Sequence, residues 1–547
     1  MSFATILCLL WLLIRLAVLS QTGIPQPKYH DEFSYLLGAD TFAHGRLTNP
    51  SPPLSKFFES PHVMVRPTYA SKYPPGQALF LAAGEFLLGS PFYGVLLGNL
   101  LMLFATSLML FSWVSARWAL RVSILLALYL CPSMYWTDSY WGGSVAVAGG
   151  AIVLLAVGMS RGPHKVLVGS CLAIGALLLF WTRPYEGGVF ALAALALFWK
   201  RLWQCTSRSS VTVTAGILIA GLGFTGALNY SVTGNALELP YLLHSKQYDT
   251  TPVFWFQPMR PAPHYSSERL AAVHGPDGFE ARLYIQLRSN TNFVQAFFKS
   301  FLQAVKVLDL RLEFALALTL LIPMAWHDWR YRYAFIISVA CAIALSLETF
   351  HMEHYDAPAW AAFLLMIAVW GERADEKERK MSNRHGRQPA GLAFLVLVIP
   401  TSLLFILYTS EALKAESRTQ RAVAQVNVDS ENWGQQRFNL IQQLSSQNHQ
   451  SLVIVHYPSP DWKVDDEWVY NSANIDQQKV VFAHDFGEQE DKLLLRHYPN
   501  RVAYLLTFNP VTGEDKIVPY TSNTAGIKPI PGTADGAGMV LPNHSTH

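Results

Sequence analysis

The sequence is poor in charge: only 14% of its 547 residues are Asp, Glu, Lys or Arg, whereas 51% are hydrophobic. Soluble domains carry about 25% charged residues. The composition therefore argues against an ordinary soluble protein and favours a chain with many membrane-spanning helices. The net charge of +3 gives no electrostatic basis for a nucleic-acid partner.

Cysteine is also scarce, and the five cysteines lie in apolar segments or in a short loop between two of them. The long polar stretches and the C-terminal third contain none, so we expect no structural disulfide. The apolar stretch Ala4–Leu19 has no basic region before it and no small-residue cleavage site after it, and it contains Arg15. This favours a retained first helix over a cleaved signal peptide.

Eleven apolar segments reach or approach the length of a membrane-spanning helix, which is about 17–25 residues. They cover approximately residues 3–24, 92–114, 119–135, 142–159, 166–182, 185–200, 211–229, 306–326, 333–349, 356–371 and 391–409. The apolar stretch Gly76–Leu88 is shorter, contains Glu85 and is bounded by YPPG and GSP. We interpret it as a helix that lies at the membrane interface.

The distribution of basic residues predicts which side of the membrane each loop faces. With the N-terminus inside, the Lys- and Arg-rich connections fall on the cytoplasmic side, as the positive-inside rule requires. The same arrangement puts the long loops at 25–76 and 230–305 on the outer side. The first of these also carries several cations, which counts against the positive-inside pattern. The polar and aromatic clusters then fall outside, in HDEFSY, YASKYPPGQ, YWTDSYWGG, WTRPYEGG and ETFHMEHYDAP. We therefore expect the chemistry at the outer face of the cytoplasmic membrane, which is the inner membrane of a Gram-negative host.

The chain changes character near residue 410, where apolar density falls and Gln, Asn and charge increase. A helical pattern over about 433–446 precedes the strand-like runs SLVIVHY, KVVFAHDF and RVAYLLTF. These patterns predict a transmembrane unit at 1–409 and a small extracytoplasmic α/β domain at 410–520. The Gly- and Pro-rich stretch 521–547 is expected to be poorly ordered.

Three of the outer clusters contain charged residues that suit catalysis. Asp31 and Glu32 lie beside an apolar segment, where a carboxylate is costly; they suit a general base, a divalent-cation ligand or a helix N-cap. The ammonium of Lys72 suits the binding of a phosphate. Its position is equally typical of a lysine that touches lipid headgroups. Arg183 can bind phosphate bidentately with Glu186 orienting it, or it belongs to an interfacial aromatic belt.

The cluster HMEHYDAP raises the possibility of a metal site. Its histidine spacing is loose and no second cluster has firm ligand spacing, so a zinc site is disfavoured. A substrate-binding lip in which His354 and Tyr355 form hydrogen bonds is the preferred interpretation. We group Tyr73 of SKYPPGQ and Asp138 of YWTDSYWGG with these expected substrate-binding residues. The many Trp and Tyr residues of the outer loops suit either stacking on sugars or an interfacial belt.

In order and topology, these motifs resemble the GT-C superfamily of polyprenyl-phosphate-dependent glycosyltransferases, in particular the lipid A aminoarabinose transferases and protein O-mannosyltransferases. In HDEFSYLLGADTFAHGRLTNP, Asp31 and Glu32 fall on the family's acidic motif. SKYPP places Lys72 on the phosphate-side lysine of a Lys-Pro element. In WTRPYEG, Arg183 would replace a lysine. Short segments including SYWGG, HYDAP and DEWVYN also resemble a bacterial subgroup of this superfamily.

The resemblance implies an inverting transfer of a sugar from a polyprenyl-phosphate donor to a lipid, glycan or protein acceptor. Asp31 would deprotonate or orient the acceptor, with Glu32 beside it, and a divalent metal (Mg, Mn or Zn) bound at Asp31 is compatible with this role. Lys72 and Arg183 would stabilise the departing phosphate. The C-terminal domain departs from that of the better-known relatives and could select the acceptor.

Two functions from other classes stay open at this point. A transporter or flippase for a polyprenyl-linked glycan would require polar groups at mid-membrane and often repeat symmetry. The sequence shows no repeats, and its notable charges cluster at one face. A sensor would require a cytoplasmic output module, and no predicted cytoplasmic stretch is long enough for one.

Overall fold

The computed structural model describes residues 2–131, 136–288, 292–307, 325–352, 354–384, 433–457, 467–509 and 514–520. Its helices, in chain order, are α1 (Ser2–Thr22), α2 (His30–Ala43), α3 (Pro75–Leu88), α4 (Phe92–Trp113), α5 (Ala116–Tyr129), α6 (Gly143–Met159), α7 (Lys165–Thr182), α8 (Pro184–Gln204), α9 (Arg208–Thr233), α10 (Pro240–Tyr248), α11 (Glu268–His274), α12 (Phe279–Arg288), α13 (Phe293–Val307), α14 (Trp329–Leu345), α15 (Trp360–Arg384), α16 (Trp433–Ser445) and α17 (Glu488–His497). Its strands are β1 (Val63–Met64), β2 (Ala70–Ser71), β3 (Ser451–His456), β4 (Val480–His484), β5 (Val502–Asn509) and β6 (Glu514–Pro519).

The predicted spans fall on helices wherever the chain is described. The first seven coincide with α1 and α4–α9, and those at 333–349 and 356–371 coincide with α14 and α15. The spans predicted at 306–326 and 391–409 lie largely outside the described residues. By length and composition, α1, α4, α7 and α9 are able to cross a membrane. The helical membrane class is therefore confirmed, and the number of spans stays a prediction.

The apolar stretch interpreted as interfacial forms α3, which begins and ends on residues suited to those positions. Pro75 occupies its first turn, and Gly89 follows it in the left-handed conformation, with φ 75°. Close contacts fix α3 against its neighbours: a Cβ on Gly84 would lie 2.1 Å from the backbone nitrogen of Gly94. A Cβ on Gly76 would lie 2.6 Å from the carbonyl oxygen of Trp181. The start of α3 therefore packs directly on the end of α7.

Charged residues form close ion pairs at the end of the bundle where α4 ends and α5 begins, which is called the far end below. Asp328 caps the start of α14 and lies 2.7 Å from Arg330 and 2.8 Å from Arg373. Arg330 also lies 2.8 Å from Glu372 on α15. This network ties α14 to α15 at the end of the bundle where α4 ends and α5 begins, because Arg330 also donates to the carbonyl oxygen of Trp113.

The C-terminal region forms a four-stranded sheet in the order β4-β3-β5-β6. β3 pairs in parallel with β4 and β5, and β5 pairs antiparallel with β6. The three predicted strands and the helix near 433–446 are confirmed as β3, β4, β5 and α16. The sequence did not indicate β6, because EDKIVP is largely charged and lacks an apolar run; charge suits an edge strand. The stretch 521–547 lies outside the described residues.

The sheet region packs directly on α2 and on α11. Tyr470, from the segment before β4, stacks on Phe33 of α2 at a ring distance of 4.2 Å. Arg269 of α11 and Glu467 form a buried ion pair of 2.9 Å. Trp433 of α16 donates to the carbonyl oxygen of Lys28, just before α2. These contacts hold the C-terminal region against the helix that carries the predicted acidic motif.

Candidate active site

A cavity of about 330 Å³ opens at the end of the bundle where α7 ends and α8 begins. Seven residues that were predicted for the site line it, although they come from four distant parts of the chain: Asp31, Lys72, Tyr73, Arg183, Glu186, His354 and Tyr355. The expected meeting of an acidic residue with two cations therefore occurs in one cavity.

Asp31 lies in the first turn of α2, where the partial positive charge of a helix N-terminus stabilises a carboxylate. Its Oδ1 accepts a hydrogen bond from the Tyr73 hydroxyl. Tyr73 in turn stacks on Tyr35 with ring centroids 4.5 Å apart. The carboxylate is thus oriented by a phenol whose own ring is fixed by packing.

Lys72 is buried beside the cavity, with 5% of its surface exposed. Its Nζ donates to Nδ1 of His62 at 2.6 Å and lies 5.2 Å from the Tyr73 ring and 5.3 Å from the Tyr241 ring. No carboxylate of the described residues lies within ion-pair distance of it. Its ammonium is therefore contacted by an imidazole and aromatic rings rather than by a close carboxylate, which leaves it able to bind an anion.

Arg183 occupies the junction between α7 and α8, where Pro184 starts the second helix. Its guanidinium lies 4.2 Å from the centre of the Tyr355 ring and 3.7 Å from the Glu186 carboxylate. His354, next to Tyr355, packs on Trp141 at 4.8 Å. Glu186, which was predicted to orient Arg183, thus contacts it only through a long ion pair.

Two predicted site residues do not line the cavity. Glu32 is buried, and its carboxylate accepts hydrogen bonds from the backbone nitrogens of Lys28 (2.7 Å), Tyr29 (3.2 Å) and Tyr140 (3.0 Å). Burial raises the pKa of Glu32 to about 7, although these amides lower it. Glu32 therefore ties α2 to the segment before α6.

Asp138 pairs instead with Arg15 of α1 at 2.5 Å. Arg15 is fully buried, so the carboxylate compensates a charge inside the helix bundle. A buried charge without such a partner is costly. The position of Asp138 thus corresponds to a structural ion pair rather than to direct contact with the cavity.

Three buried histidines beside Lys72 were not predicted. His62, His244 and His274 each offer a nitrogen within 4.8 Å of the others. Asp249 and Glu280, which line the cavity, lie 3.1 Å and 3.0 Å from Nδ1 of His274. The histidines stand 182 and 30 residues apart with no motif around them, so the sequence offered no signal for the group.

The electrostatics of these histidines differ although all three are buried. Burial lowers the pKa of His62, and Lys72 lowers it further. Burial likewise lowers the pKa of His244. Burial would also lower that of His274, but Glu280 and Asp249 outweigh it and raise the pKa to about 9. His274 is thus the member of the group with two carboxylates at hydrogen-bond distance, whereas Nδ1 of His244 lies 3.6 Å from Asp249.

The divalent metal expected at Asp31 was tested against the residues around it. Three groups in the described part of the chain bring three possible ligands together, and none contains Asp31; they are His62 with His244 and His274, Asp249 with His274 and Glu280, and Asp40 with His44 and Glu85. A metal thus fits other residues near the cavity better than Asp31. Glu353 of HMEHYDAP lies outside the described residues, and its neighbour His351 bonds to Ser300.

The segment EWVYN of the C-terminal region reaches the edge of the site. The Tyr470 hydroxyl lies 2.6 Å from Nδ1 of His30, the residue that precedes Asp31 and also lines the cavity. DEWVYN is one of the segments that resemble the bacterial subgroup, and that resemblance implied no role for it. Its tyrosine thus bonds to the residue that directly precedes Asp31, the candidate base.

Comparison with solved structures gives a fold for most of the chain. The chain is similar to ArnT from Cupriavidus metallidurans bound to undecaprenyl phosphate, with a TM-score of 0.50, 11% identity, and 93% of each chain covered. It is also similar to the oligosaccharyltransferase of Archaeoglobus fulgidus tethered with an acceptor peptide, with a TM-score of 0.48, 13% identity, and coverage of 92% of this chain and 68% of that one. Comparisons with protein-family models and with curated protein sequences give no match.

Proposed function

Because the chain has the GT-C fold, we propose that it is a membrane glycosyltransferase. It moves a sugar from a polyprenyl-phosphate donor to a lipid, glycan or protein acceptor. The observation that carries this proposal is the meeting of Asp31, Lys72 and Arg183 in one cavity at the end of a helix bundle. A base and two cations at one site are what a transfer with an anionic leaving group requires.

The donor phosphate is proposed to bind between Lys72 and Arg183. Lys72 is buried and Arg183 is half-buried beside the cavity, and neither is closely paired with a carboxylate in the described residues. Their aromatic neighbours leave the charge available to an anion. The apolar helices around the cavity suit a polyprenyl tail, and ArnT of similar fold binds undecaprenyl phosphate.

Asp31 is proposed to act as the general base. It accepts the proton of the acceptor nucleophile while that nucleophile bonds to the anomeric carbon of the sugar. The bond from this carbon to the phosphate oxygen breaks on the opposite face, so the configuration inverts. The electron pair leaves with the phosphate, whose growing negative charge Lys72 and Arg183 stabilise.

The neighbours of Asp31 are proposed to orient it. The Tyr73 hydroxyl donates to one carboxylate oxygen and leaves the other for the acceptor. Glu32, initially grouped with the catalytic residues, is assigned a structural role because three backbone amides bind it. Glu186, His354 and Tyr355 are assigned to substrate binding around Arg183.

We place the cavity and the C-terminal domain at the outer face of the cytoplasmic membrane, as the basic connections favour. The C-terminal domain that we propose for 410–520 contacts α2 through its described residues, where the Tyr470 hydroxyl bonds to His30. This position supports a role in selecting the acceptor.

The test is transfer by the purified protein from synthetic polyprenyl-phosphate sugars to envelope lipids, glycans and peptides. We expect Asp31→Asn to lower the rate by about 100-fold or more, which is the usual contribution of a general base. Asp40→Asn is the matched control, because Asp40 lies on the same helix and does not line the cavity. An Asp31→Asn variant that transfers at the wild-type rate would overturn the assignment.

A further inference from the structure

We propose that His62, His244 and His274 bind one transition-metal ion of the zinc type, and that this ion releases Lys72 toward the substrate phosphate. The first part rests on the geometry of the histidines alone. The second part rests on the proposed function, because it assigns the phosphate to Lys72.

The three imidazole rings form a nearly regular triangle. Their centroids lie 6.1 Å (His62–His244), 5.5 Å (His62–His274) and 5.4 Å (His244–His274) apart. A tetrahedral ion with Zn–N bonds of about 2.0–2.1 Å places the ring centroids about 5.2 Å apart. The rings therefore need to move by less than an ångström or so to hold an ion, and the side chains of all three are buried.

The groups around His274 match the usual surroundings of a metal-bound histidine. Its Nδ1 lies 3.0 Å from Glu280 and 3.1 Å from Asp249. Its Nε2 is buried and has no hydrogen-bond partner in the described residues. Metal-binding histidines characteristically donate one ring nitrogen to a carboxylate, which leaves the other as the ligand. A set of three imidazoles favours zinc and related ions over magnesium, which prefers oxygen.

His62 is held in an unusual backbone conformation. Its φ is 65°, in the left-handed region that residues other than glycine rarely adopt. The Ser34 hydroxyl donates to its carbonyl oxygen at 2.7 Å, and the Lys72 backbone nitrogen does so at 3.4 Å. Such conformations persist where the surroundings enforce them, frequently at ligand sites. Here the conformation places the imidazole against the other two.

The bond between Lys72 and His62 is incompatible with the metal. A neutral imidazole has one nitrogen with a free lone pair, and in this structure that pair accepts from the Lys72 ammonium. A metal on either ring nitrogen uses the lone pair, and the remaining nitrogen then carries a proton. The ammonium loses its acceptor in both cases and faces the cavity with its charge unbalanced.

The first test is zinc binding by the purified full-length protein, measured by elemental analysis after equilibration with Zn²⁺ and by the visible spectrum of the Co²⁺ form. We expect one ion per chain with a tetrahedral Co²⁺ spectrum. His244→Ala should lower the affinity by more than about 100-fold, since loss of an outer partner alone costs about 10- to 100-fold. Glu280→Gln, which keeps all three histidines, should lower it by about 10-fold or more and serves if His244→Ala does not fold.

His44→Ala is the matched control, because His44 belongs to the separate group with Asp40 and Glu85. It should bind zinc like the wild type. Wild-type protein that binds no zinc, or His244→Ala protein that binds it as tightly as the wild type, would overturn the site. Loss of the ion only in His44→Ala would assign it to the other group and would also contradict the proposal.

The second test is the affinity for undecaprenyl phosphate with and without Zn²⁺. We expect zinc to strengthen binding by about 10-fold in the wild type and to have no effect in Lys72→Met. Lys72→Met should also bind zinc more tightly, since its competitor for His62 is gone. Zinc binding without any effect on lipid phosphate would refute the release of Lys72 while leaving the site intact. Zinc binding in a protein that transfers no sugar would instead refute only the proposed function.

Discussion

Two groups of cations at opposite ends of the helix bundle are paired differently. At the far end, Asp328, Arg330, Glu372 and Arg373 pair at 2.7–2.8 Å, so each cation has a close carboxylate. At the cavity end, Lys72 bonds to a neutral histidine, and Arg183 lies 3.7 Å from its carboxylate. The cations of the first group thus stabilise the fold, and those of the second are left available to a ligand.

The largest expected effect comes from applying one substitution at both ends. Asp328→Ala removes the shared partner of two arginines and the cap of α14, so it should lower the free energy of unfolding by about 3–5 kcal/mol. Asp31→Ala should lower that free energy less, by about 2 kcal/mol, since it loses one hydrogen bond to the carboxylate and the interaction of that carboxylate with the start of α2. Thermal and denaturant unfolding in detergent measures both. Equal losses at the two ends would break the comparison.

A close ion pair like those of the far end also joins Arg269 of α11 to Glu467 of the C-terminal region. Burial would raise the pKa of Glu467, but Arg269, His484 and the Tyr457 hydroxyl outweigh it and lower the pKa to about 2. A carboxyl with a lowered pKa stabilises the folded form above its ordinary pKa of about 4.5 and loses this contribution as the pH falls toward 2. The loss should reach about 3 kcal/mol.

Release of the domain in acid can be followed by limited proteolysis between pH 6 and pH 2. We expect cleavage in the domain to rise over the range from about pH 4.5 to pH 2. Glu467→Gln should weaken the docking at neutral pH and flatten the acid dependence. The same acid profile in both proteins would show that another group controls the docking.

The cavity cations should affect the reaction more than the fold. Arg183→Met should lower sugar transfer by about 100-fold, as loss of one charge-stabilising donor usually does, and it should leave the unfolding midpoint nearly unchanged. Arg373→Met, at the far end, should leave transfer unchanged. Steady-state kinetics of both variants, with their unfolding curves, checks this. A slower Arg373→Met enzyme of normal stability would contradict it.

The smallest expected effect concerns the bond from Tyr470 to His30. Tyr470→Phe removes a hydroxyl 2.6 Å from Nδ1 of His30 while keeping the ring on Phe33. One hydrogen bond is worth about 1 kcal/mol, so kcat/KM should fall about fivefold. Tyr504→Phe is the matched control, because the Tyr504 hydroxyl bonds to His449 at a distance of 3.1 Å and neither residue lines the cavity. Equal effects would show that Tyr470 has no specific link to the site.

The sequence predicted the parts of this site that have local signals. Asp31, Lys72 and Arg183 each stand in a short motif next to a proline or an apolar helix, and topology put them on one side. The adjacent carboxylates of Asp31 and Glu32 look alike in sequence, and only the amides of Lys28, Tyr29 and Tyr140 separate their roles.

The remaining parts depend on long-range packing and could not be predicted. His62, just before β1, meets His244 of α10 and His274 of α11 only through long-range packing, and no spacing rule connects such distant residues. Asp138 stands among aromatic residues that suit a sugar site, yet its partner is Arg15 of the first helix. The charged strand β6 is recognisable only as the edge of a sheet that was already formed.

Binding of undecaprenyl phosphate to the purified protein tests most directly whether the cavity cations are reserved for an anion. The Lys72→Met/Arg183→Met double variant should bind at least about 100-fold more weakly than the wild type, since each charge-assisted contact contributes about 1.5 kcal/mol or more. Arg373→Met should bind like the wild type. Equal affinity in all three proteins would contradict the account.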